Sequence, residues 1–427
     1  MLQIKSMTYW LCIGLFGLAL SAAAAQAKSV ALLIGVGDYM DEQLDIPGVD
    51  RDLERAELMM QRFGVASDDM VRLFNAEATV DAVERQFQHY SKTLQPHDQL
   101  YLYFSTHGLQ LPDDNGDESD GRDEALALAD FAIGLPTDAV AVSGALIDDR
   151  LAELLAALPN KHTFIIADTC NSGTISKSLS DELGDVLSRV GKFIQMPSWL
   201  RSTATHVADP ALLAELAQPG VVMLSASADG ELADIDEDGS EFTRALLATQ
   251  ENPEQDNAWC WFERARSRVR QNTGGVQWPQ MSSDFEAAVA PLAGRADLMH
   301  GVSLLQNCSG SASLTTDIEE KYGQVHLTAT AEHAGWVTAV SIKAPEQELL
   351  LQPQASRWHH GQNRPASLGR LKKTANTDSA AWVLWTADGV ELPRHRGDFS
   401  VLWQALQQLP SDRWSGSLVK GVDIDAR

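Results

Sequence analysis

The feature that most constrains this chain is a series of short, fully apolar runs separated by stretches with helical spacing. Residues 30–36 read Val-Ala-Leu-Leu-Ile-Gly-Val, and residues 100–104 read Leu-Tyr-Leu-Tyr-Phe. An unbroken apolar run of this length is typical of a parallel strand that is buried on both faces of its sheet. Between the two runs, residues 53–63 repeat apolar side chains at helical spacing. The alternation predicts an α/β fold in which a mostly parallel sheet is flanked by helices.

The same pattern continues to about residue 290. Further strands are predicted over 71–74, 161–167 and 221–226, and helices over 79–94 and 148–158. Ligands of such sheets bind beyond the carboxyl ends of the strands. Two strand ends therefore stand out, because His107 follows one of them and Cys170 follows another.

Beyond about Leu292 the pattern changes, and residues 293–427 are predicted to form a smaller β-rich domain after a first domain over 28–292. Strands are expected over 325–330, 335–342 and 381–385, and a closing helix near 398–409. This part carries Trp336, Trp358, Trp382, Trp385, Trp403 and Trp414. Such a set is typical of the core of a small β domain or, alternatively, of a surface that binds peptides or glycans.

The first 27 residues have the three parts of a secretory signal peptide. Lys5 supplies the positive start, residues 10–20 form an apolar run, and Ala25-Gln26-Ala27 fits an A-x-A cleavage site. The alternative is a membrane anchor, but the run is short for a membrane-spanning helix. We expect an exported protein, periplasmic or secreted, with no stable membrane insertion after cleavage.

The composition is that of an ordinary globular chain, with 44% hydrophobic and 22% charged residues among 427. The formal charge is −26, from 33 Lys and Arg against 59 Asp and Glu. Such an acidic chain is a poor partner for nucleic acid or for an anionic membrane. The charge favours basic ligands, divalent cations or cationic segments of a substrate.

Three cysteines lie beyond the expected signal peptide: Cys170, Cys260 and Cys308. An odd number in an oxidising compartment leaves either a free thiol or an intermolecular bond. The economical arrangement pairs Cys260 with Cys308 and leaves Cys170 free.

Cys170 and His107 both lie among small residues at strand ends. A cysteine protease needs a thiolate, a base that helps to generate it, and donors for an oxyanion. Cys170 is followed by Asn-Ser-Gly, and His107 is followed by Gly108. Taken singly, each residue is more often structural, as a buried thiol or a satisfied histidine. Their joint placement at one edge of one sheet predicts a catalytic pair.

Several segments extend this pattern along the chain: 31–37, 47–52, 105–108, 117–124, 148–149, 168–173, 225–229 and 239–243. In this order they resemble the caspase-like cysteine peptidases, most closely the metacaspases, over about residues 29–290. The resemblance implies a Cys–His dyad in which Cys170 attacks the scissile carbonyl and His107 handles the proton. By the same analogy, the backbone N–H groups of Gly108 and Cys170 form the oxyanion hole.

The resemblance also bears on specificity, because Asp168 precedes the nucleophile by two residues. Relatives that cut after Asp have an uncharged polar residue there, whereas a carboxylate attracts a basic side chain. Asp52 matches a second acidic pocket position of the metacaspases, and Asp229 is a weaker candidate for the same pocket. Two carboxylates give charge-assisted hydrogen bonds to a guanidinium or ammonium. We therefore expect protein or peptide substrates cut after Arg or Lys. The alternative is that Asp168 caps a turn and Asp52 lies on a solvated helix face.

Metacaspases often need calcium. The implied ligands are Asp123, Asp148 and Asp149. The acidic stretch 113–130 fits such a site, because hard cations relieve the repulsion of crowded carboxylates. The family has a fourth acidic ligand where this chain has Lys177, so either calcium affinity falls or a neighbour such as Asp181 substitutes. A solvated acidic loop without calcium is the alternative.

A second acidic segment, residues 234–239, resembles the start of a helix–loop–helix calcium loop. Its twelfth position is Ala245, not the Glu that would supply the bidentate ligand. We interpret the segment as an acidic turn before a helix. The sequence has no Cys/His cluster with zinc spacing and no phosphate-binding glycine loop.

Residues 175–218 lack a clear strand pattern and are interpreted as a long, partly helical surface excursion. They carry basic residues close to the nucleophile: Lys177, Arg189, Lys192 and Arg201. A protease with basic specificity would be able to cut itself at such exposed sites. The alternative is an ordinary surface loop that is never cut.

Three functions remain open from the sequence. The first is a cysteine endopeptidase specific for Arg and Lys, either calcium-responsive or calcium-independent. The second is a caspase-like fold that has lost catalysis and acts as a binding or scaffold protein of the cell envelope. The third is an enzyme of the same kind with another preference before the scissile bond.

Overall fold

The computed structural model describes residues 27–112, 122–134, 142–170, 188–190, 192–195, 219–228, 233–293, 298–305, 308, 314–321, 324–343, 350–353, 358–361, 366–373, 379–388, 399–409, 413–420 and 422–424. Residues 1–26, which hold nearly all of the expected signal peptide, lie outside this set. Within the described ranges, no helix is both long enough and apolar enough to cross a membrane.

The first part of the chain alternates strands and helices. Its strands are β1 (Ser29–Gly35), β2 (Met70–Phe74), β3 (Gln99–Ser105), β4 (His107–Pro112), β5 (Arg122–Ile133), β6 (Val142–Ile147), β7 (His162–Asp168), β8 (Ser188–Val190), β9 (Phe193–Gln195), β10 (Val221–Ser225), β11 (Ile235–Asp236), β12 (Gly239–Ser240) and β13 (Gln280–Ser283). Its helices are α1 (Val49–Arg62), α2 (Val80–Thr93), α3 (Asp148–Ala156), α4 (Glu241–Thr249), α5 (Ala258–Asn272) and α6 (Phe285–Val289).

The central sheet has the order β13-β10-β7-β3-β1-β2, and its strands are parallel except at the β10–β13 edge. Along β1, Ala31 and Leu33 enter one hydrophobic cluster, and Leu32 and Ile34 enter the other. Both faces of the strand are therefore covered, which explains its unbroken apolar run. The predicted α/β fold with a mostly parallel sheet flanked by helices is confirmed.

The helices around this sheet begin and end close to the predicted residues. Thr79 caps α2, because its hydroxyl accepts from the N–H of Ala82 at 3.2 Å. Helix α1 starts after Gly48, whose φ of 75° lies in the left-handed region that favours glycine. The acidic turn of β11 and β12 leads directly into α4, as expected from the sequence.

A second sheet, of order β6-β5-β4-β9-β8, contains strands where the sequence predicts loops. The end of the predicted acidic loop is the twelve-residue strand β5, so Asp123 and Asp130 lie on a strand. The described part of the predicted surface excursion also forms strands, β8 and β9, and β9 pairs with β4 at Gly108 and Phe193. Strand β9 is hard to see in the sequence because its partner β4 lies about 85 residues earlier in the chain, counted from Gly108 to Phe193.

The remainder of the chain is rich in strands, as predicted. They are β14 (Leu314–Lys321), β15 (Gln324–Ala331), β16 (Gly335–Lys343), β17 (Leu350–Pro353), β18 (Trp358–His360), β19 (Ala366–Lys373), β20 (Ser379–Ala387), β21 (Trp414–Lys420) and β22 (Val422–Ile424). Helix α7 (Leu298–Leu304) precedes them, and α8 (Phe399–Gln407) lies where a closing helix is predicted. Two sheets result, of order β14-β15-β19-β22 and β17-β16-β20-β21, with β18 also paired to β16.

One hydrophobic cluster contains residues from both parts of the chain. The ring of Trp259 on α5 lies 4.9 Å from that of Trp403 and 5.4 Å from that of Trp414, measured between centroids. The indole N–H of Trp403 donates to the carbonyl of Ser283 on β13 at 2.8 Å. Trp382, Trp403 and Trp414 of the tail therefore lie in a core, which is one of the two expected roles, and this core also contains residues of the first part of the chain.

The expected pairing of cysteines is present. Cys260 on α5 forms a disulfide with Cys308, which lies 48 residues later. Among the described residues Cys170 is the free cysteine, and it is buried.

Candidate active site

The sheet register places His107 and Cys170 at neighbouring strand ends. Strands β3 and β7 are parallel neighbours in which Ser105 lies opposite Asp168. His107 and Cys170 each follow two residues beyond that pair. Both side chains are fully buried. The sequence predicts this shared edge, and the described strands agree with it.

A backbone carbonyl orients the histidine. His107 Nε2 lies 2.7 Å from the carbonyl oxygen of Leu44, which belongs to the 3-10 turn Glu42–Leu44. A carbonyl can only accept, so Nε2 carries the proton, and a neutral imidazole then has its lone pair on Nδ1. Because the partner is a main-chain oxygen, residue types do not reveal it in the sequence.

Tyr39 supports the same histidine from a second side. Its hydroxyl accepts from the N–H of His107 at 3.1 Å and donates to the carbonyl of Ala127 at 3.1 Å. The two rings lie 5.2 Å apart between centroids. Burial raises the pKa of Tyr39 far above its usual value, so the hydroxyl stays neutral and able to donate.

The thiol of Cys170 is held in its protonated form. The N–H of Ala233 donates to its sulfur at 2.9 Å. Burial raises the pKa of Cys170 to about 11, although hydrogen bonds from the backbone N–H groups of Ala233 and Lys192 act in the opposite direction. A reactive cysteine needs a thiolate, which burial disfavours in this arrangement.

Asp52 and Asp168 meet in one buried pocket, although they come from helix α1 and from the end of strand β7. The ammonium of Lys192 lies 3.3 Å from Asp52 Oδ2 and 3.0 Å from Asp168 Oδ1. It also donates to Ser105 Oγ and to the carbonyl of Asp168, both at 3.0 Å. All three charged side chains are 0% exposed. The alternative that placed Asp52 on a solvated helix face is therefore wrong.

These carboxylates keep the buried side chain of Lys192 protonated. Burial alone would lower the pKa of Lys192, but the attraction of Asp168 and Asp52 outweighs it and raises the pKa above its usual value. Burial likewise raises the pKa of Asp52 to about 6, while Lys192 lowers it. The pocket thus matches a cationic side chain with carboxylates in a region from which water is excluded.

Hydroxyl groups from α4 and its cap hold Asp168 in place. Ser240 Oγ donates to Asp168 Oδ1 at 2.8 Å, and Thr243 Oγ1 donates to Asp168 Oδ2 at 2.6 Å. The backbone N–H of Ser240 donates to Asp52 Oδ1 at 2.7 Å, so one residue contacts both carboxylates. Gly239 has a φ of 92°, and a Cβ there would overlap Asp52, so glycine permits this close approach. In the sequence, the segment 239–243 stands out only through the family resemblance, and its contacts with Asp168 are not visible there.

Lys192 also reaches the backbone beside the histidine. The N–H of Gly108 donates to the carbonyl oxygen of Lys192 at 2.8 Å. Gly108 is one of the two expected oxyanion donors. The expectation that Lys192 is an exposed basic residue is wrong, because its partners lie on β3, β4, β7 and α1 and no local pattern reveals them.

The residues expected to bind calcium lie on strand β5 and at the start of helix α3. Asp123 starts along β5 and Asp148 and Asp149 open α3. Asp148 Oδ1 accepts from the N–H of Asp149 at 3.0 Å, which places the carboxylate at the start of the helix, where negative charge is favourable. Among the described residues, no three His, Cys, Asp or Glu side chains gather closely enough to hold a metal ion. Residues 113–121 of the acidic stretch lie outside the described residues, so a calcium site at Asp123, Asp148 and Asp149 stays a prediction. Lys177 and Asp181 lie outside the described residues.

Two further candidates from the sequence are Asp229 and the acidic turn at 234–239. Asp229 lies outside the described residues. The acidic turn at 234–239 is neutralised by arginines, because Arg244 contacts Asp236 at 2.8 Å and Arg55 contacts Asp238 at 3.0 Å. It is an acidic turn before a helix, as interpreted from the sequence.

Comparisons with known proteins identify the family of this chain. The Caspase domain family model (Peptidase_C14) matches residues 28–290, more than half of the chain. Metacaspase-1A of Aspergillus terreus is 26% identical over 278 residues, which are 63% of this chain and 60% of that protein. Metacaspase-1B of Aspergillus fumigatus is 30% identical over 161 residues, covering 36% of this chain and 37% of that protein. The chain thus spans 60% or less of the length of these two curated relatives.

Among solved structures, caspase-1 of Spodoptera frugiperda is 13% identical, with a TM-score of 0.37 over 60% of this chain and 87% of that one. A Geobacter sulfurreducens protein is 21% identical, with a TM-score of 0.44 over 61% of this chain and 96% of that one. The family match over more than half of the chain leads to one assignment. The chain belongs to the caspase domain family of cysteine peptidases.

Proposed function

We propose that the chain is a cysteine endopeptidase that cuts peptide bonds after Arg or Lys, with Cys170 and His107 as its catalytic dyad. Its substrates are proteins or peptides with a basic side chain before the scissile bond. One observation carries the specificity: a lysine ammonium of this chain lies between Asp52 and Asp168, within 3.3 Å of both. A pocket that binds this ammonium has the charge and size to bind the same group of a substrate.

The chemistry follows from the positions of the proton-bearing atoms. With Nε2 of His107 donating to Leu44, Nδ1 is the atom that exchanges a proton with the thiol of Cys170. The thiolate attacks the scissile carbonyl carbon, and the N–H of Gly108 donates to the oxygen as it becomes negative. The imidazolium then gives its proton to the leaving amine. Water hydrolyses the thioester and restores the thiol.

Asp52 and Asp168 act on substrate binding and take no part in the bond changes. Their carboxylates select an ammonium or guanidinium because an uncharged side chain would leave two buried carboxylates without a cation. A site built around such polar groups discriminates strongly, by about 10⁴-fold or more, against a side chain that cannot pair with it. An acidic side chain would add a third negative charge and is excluded by repulsion.

The proposal is tested with fluorogenic peptides that differ only in the residue before the scissile bond: Arg, Lys, Asp or Asn. Wild-type chain and a Cys170→Ala variant are compared under reducing conditions, with folding checked by circular dichroism. The proposal expects cleavage of the Arg and Lys peptides that disappears in the variant. Cleavage of the Asp peptide alone, or equal cleavage by both proteins, would refute it.

Calcium activation, self-processing and export are further parts of the proposal. The assay is therefore run with calcium and with a chelator, because Lys177 replaces an acidic ligand of the family and the described acids do not gather into a site. Export is tested by fractionating cells that express the full chain. We expect a product that begins near Lys28, in the periplasm or the medium.

A second candidate, a binding or scaffold protein without catalysis, is favoured by one observation. The thiol is fully buried, with its pKa raised to about 11, and a lysine fills the pocket. A site that never opened would have no turnover. The peptide assay separates the two candidates, because the scaffold cuts none of the four peptides in any condition.

A further inference from the structure

A buried glutamine joins two main-chain groups close to the nucleophile. Gln277 lies between helix α5 and strand β13 and is 0% exposed. Its amide nitrogen donates to the carbonyl oxygen of Ala226 at 2.8 Å, and its amide oxygen accepts from the N–H of Asp234 at 3.1 Å. The two partners are eight residues apart in the chain, one directly after β10 and the other directly before β11. One side chain therefore holds both segments.

Both partners of this amide have fixed roles in hydrogen bonding. A carbonyl can only accept and a backbone N–H can only donate, so the position needs one side chain that does both. A carboxylate lacks the donor, and a methionine of similar size lacks both functions. The contacts therefore depend on the amide chemistry of Gln277 as well as on its volume.

The segment before β11 carries this support to the sulfur of Cys170. The N–H of Ala233, which is fully buried, donates to Cys170 Sγ at 2.9 Å. The next residue, Asp234, is held on both sides: Gln277 accepts from its N–H, and its carbonyl accepts from the N–H of Glu241 at the start of α4 at 3.1 Å. The donor to the sulfur thus directly precedes a peptide group that Gln277 binds.

The segment after β10 is tied to the strand that leads to the nucleophile. The N–H of Ala226 donates to the carbonyl of Ala167 at 3.0 Å, and Ala167 lies three residues before Cys170. Because Gln277 contacts Ala226 and Asp234 together, it sets the position of the Ala233 segment relative to the strand that leads to the sulfur.

We propose that Gln277 is a positioning residue of the active site, whose amide holds the backbone N–H of Ala233 on the sulfur of Cys170. This inference rests on the proposed function, in which that sulfur is the nucleophile. A hydrogen bond to a charged acceptor is about twice as strong as one to a neutral acceptor, so the N–H favours the thiolate over the thiol. The bond from Ala233 accordingly lowers the pKa of Cys170, against the larger effect of burial.

The experiment compares the full wild-type chain with Gln277→Met, which removes both hydrogen bonds, and with Gln277→Glu, which keeps the acceptor for Asp234. Gln280→Met is the matched control, because this buried glutamine of the same segment donates to the carbonyl of Trp278 instead. Folding is checked by circular dichroism. The measurements are kcat and KM for a Lys peptide across pH, and the rate at which iodoacetamide labels Cys170.

We expect kcat/KM of Gln277→Met to fall about 10- to 100-fold, as for the loss of a hydrogen bond to a charged group. Its KM stays within about threefold, because the carboxylates of the pocket are unchanged. The ascending limb of kcat/KM against pH, which reports ionisation in the free enzyme, moves up by about one pH unit. Gln277→Glu lies between wild type and Gln277→Met, and Gln280→Met stays within about twofold of wild type.

Labelling separates positioning from a general loosening of the site. A lost donor leaves less thiolate, although each thiolate is then more nucleophilic, so labelling of Gln277→Met between pH 7 and 9 is about three- to tenfold slower than in wild type. A loosened structure would expose the buried thiol and make labelling faster.

The inference is overturned if Gln277→Met labels Cys170 as fast as wild type or faster, or if its pH profile keeps the wild-type limb. If Gln277→Met does not fold, the same two measurements on Gln277→Glu decide, with a slower labelling rate and a raised limb expected. If wild type cuts no peptide, the proposed function fails, while the labelling rates still decide whether Gln277 controls the sulfur.

Discussion

The ammonium of Lys192 and the carboxylate of Asp168 lie 3.0 Å apart with both side chains fully buried, although 24 residues separate them in the chain. The same lysine also lies 3.3 Å from Asp52 on helix α1. A buried pair of this kind contributes to stability only while every charge keeps its partners. The pocket is therefore sensitive to the loss of any one charge, and several predictions depend on it.

Replacing Asp52 by Asn removes one of the two carboxylates while keeping its shape. We expect kcat/KM for Arg and Lys peptides to fall about 10- to 100-fold, since a hydrogen bond to a charged group is worth about 1.5–3 kcal/mol. The free energy of unfolding of the uncut chain should fall by about 1–3 kcal/mol for the same reason. The measurements are steady-state kinetics and urea unfolding.

Asp50→Asn is the matched control, because this residue lies on the same helix with its side chain 52% exposed. Its effect on stability should stay within about 0.5 kcal/mol. Equal effects of the two substitutions would mean that Asp52 has no special role in the pocket.

The hydroxyl of Thr243 is predicted to be a positioning group for Asp168. Thr243→Val removes the 2.6 Å hydrogen bond to Asp168 Oδ2 with little change of volume. The KM for a Lys peptide should rise about tenfold with kcat within about twofold, because binding weakens and the dyad is untouched. Thr243→Ser should restore the KM.

Thr249→Val serves as the control on the same helix, since its hydroxyl bonds to the carbonyl of Ala245 instead. A purely structural role of Thr243 would look different: kcat and KM would change together, and the serine variant would give no rescue.

The burial of Cys170 predicts a characteristic pH dependence of alkylation. Burial raises the pKa of this thiol to about 11 in the uncut chain, so the thiolate is scarce at neutral pH. Iodoacetamide labelling of the uncut chain should rise about tenfold per pH unit from pH 7 to 10, as it tracks the thiolate fraction. The label is mapped to Cys170 by peptide mass spectrometry.

The raised pKa of Cys170 also makes the stability of the fold depend on pH. A thiol whose pKa is raised on folding stabilises the fold below the unfolded pKa of about 8.5, and this contribution is lost as the pH rises toward 11. Chain unfolded in urea is the control for labelling, and its rate should level off above about pH 9. A similar plateau in the folded, uncut chain would contradict the buried thiol.

The tryptophan core predicts that the tail is required for the stability of the peptidase part. Trp403→Ala would empty a site that contacts Trp259 and Phe285 and would remove the hydrogen bond to Ser283. We expect a loss of about 3–5 kcal/mol in unfolding free energy and a lower Tm for the whole chain. Trp336→Ala is the control, because that side chain is only partly buried, and its effect should be clearly smaller. If Trp403→Ala lowered the unfolding transition of the tail and left that of the peptidase part unchanged, the two parts would unfold independently and the expectation would be wrong.

Much of the fold follows from local patterns. Residues 30–36 and 100–104 are apolar throughout because both faces of the central sheet are covered, and that property is visible without any partner. His107 and Cys170 could be paired from sequence because parallel strands end at a shared edge.

Other features depend on contacts between distant segments, and no local pattern contains them. The burial of Lys192 depends on carboxylates up to 140 residues away, so in the sequence it looked like one of several exposed basic residues after the nucleophile. The orientation of His107 depends on the main-chain oxygen of Leu44, for which any residue type would serve. The shared core of Trp259 and Trp403 crosses the boundary that the change in pattern suggested at Leu292.

On the proposed function, the pocket of Asp52 and Asp168 selects basic side chains for hydrolysis by Cys170. The most direct measurement exposes a peptide library of random sequence to the chain and identifies every cut bond by mass spectrometry, with Cys170→Ala as the blank. We expect Lys or Arg before nearly every bond that wild type cuts and the variant leaves intact. A majority of cuts after Asp, or cuts with no preference at that position, would contradict it.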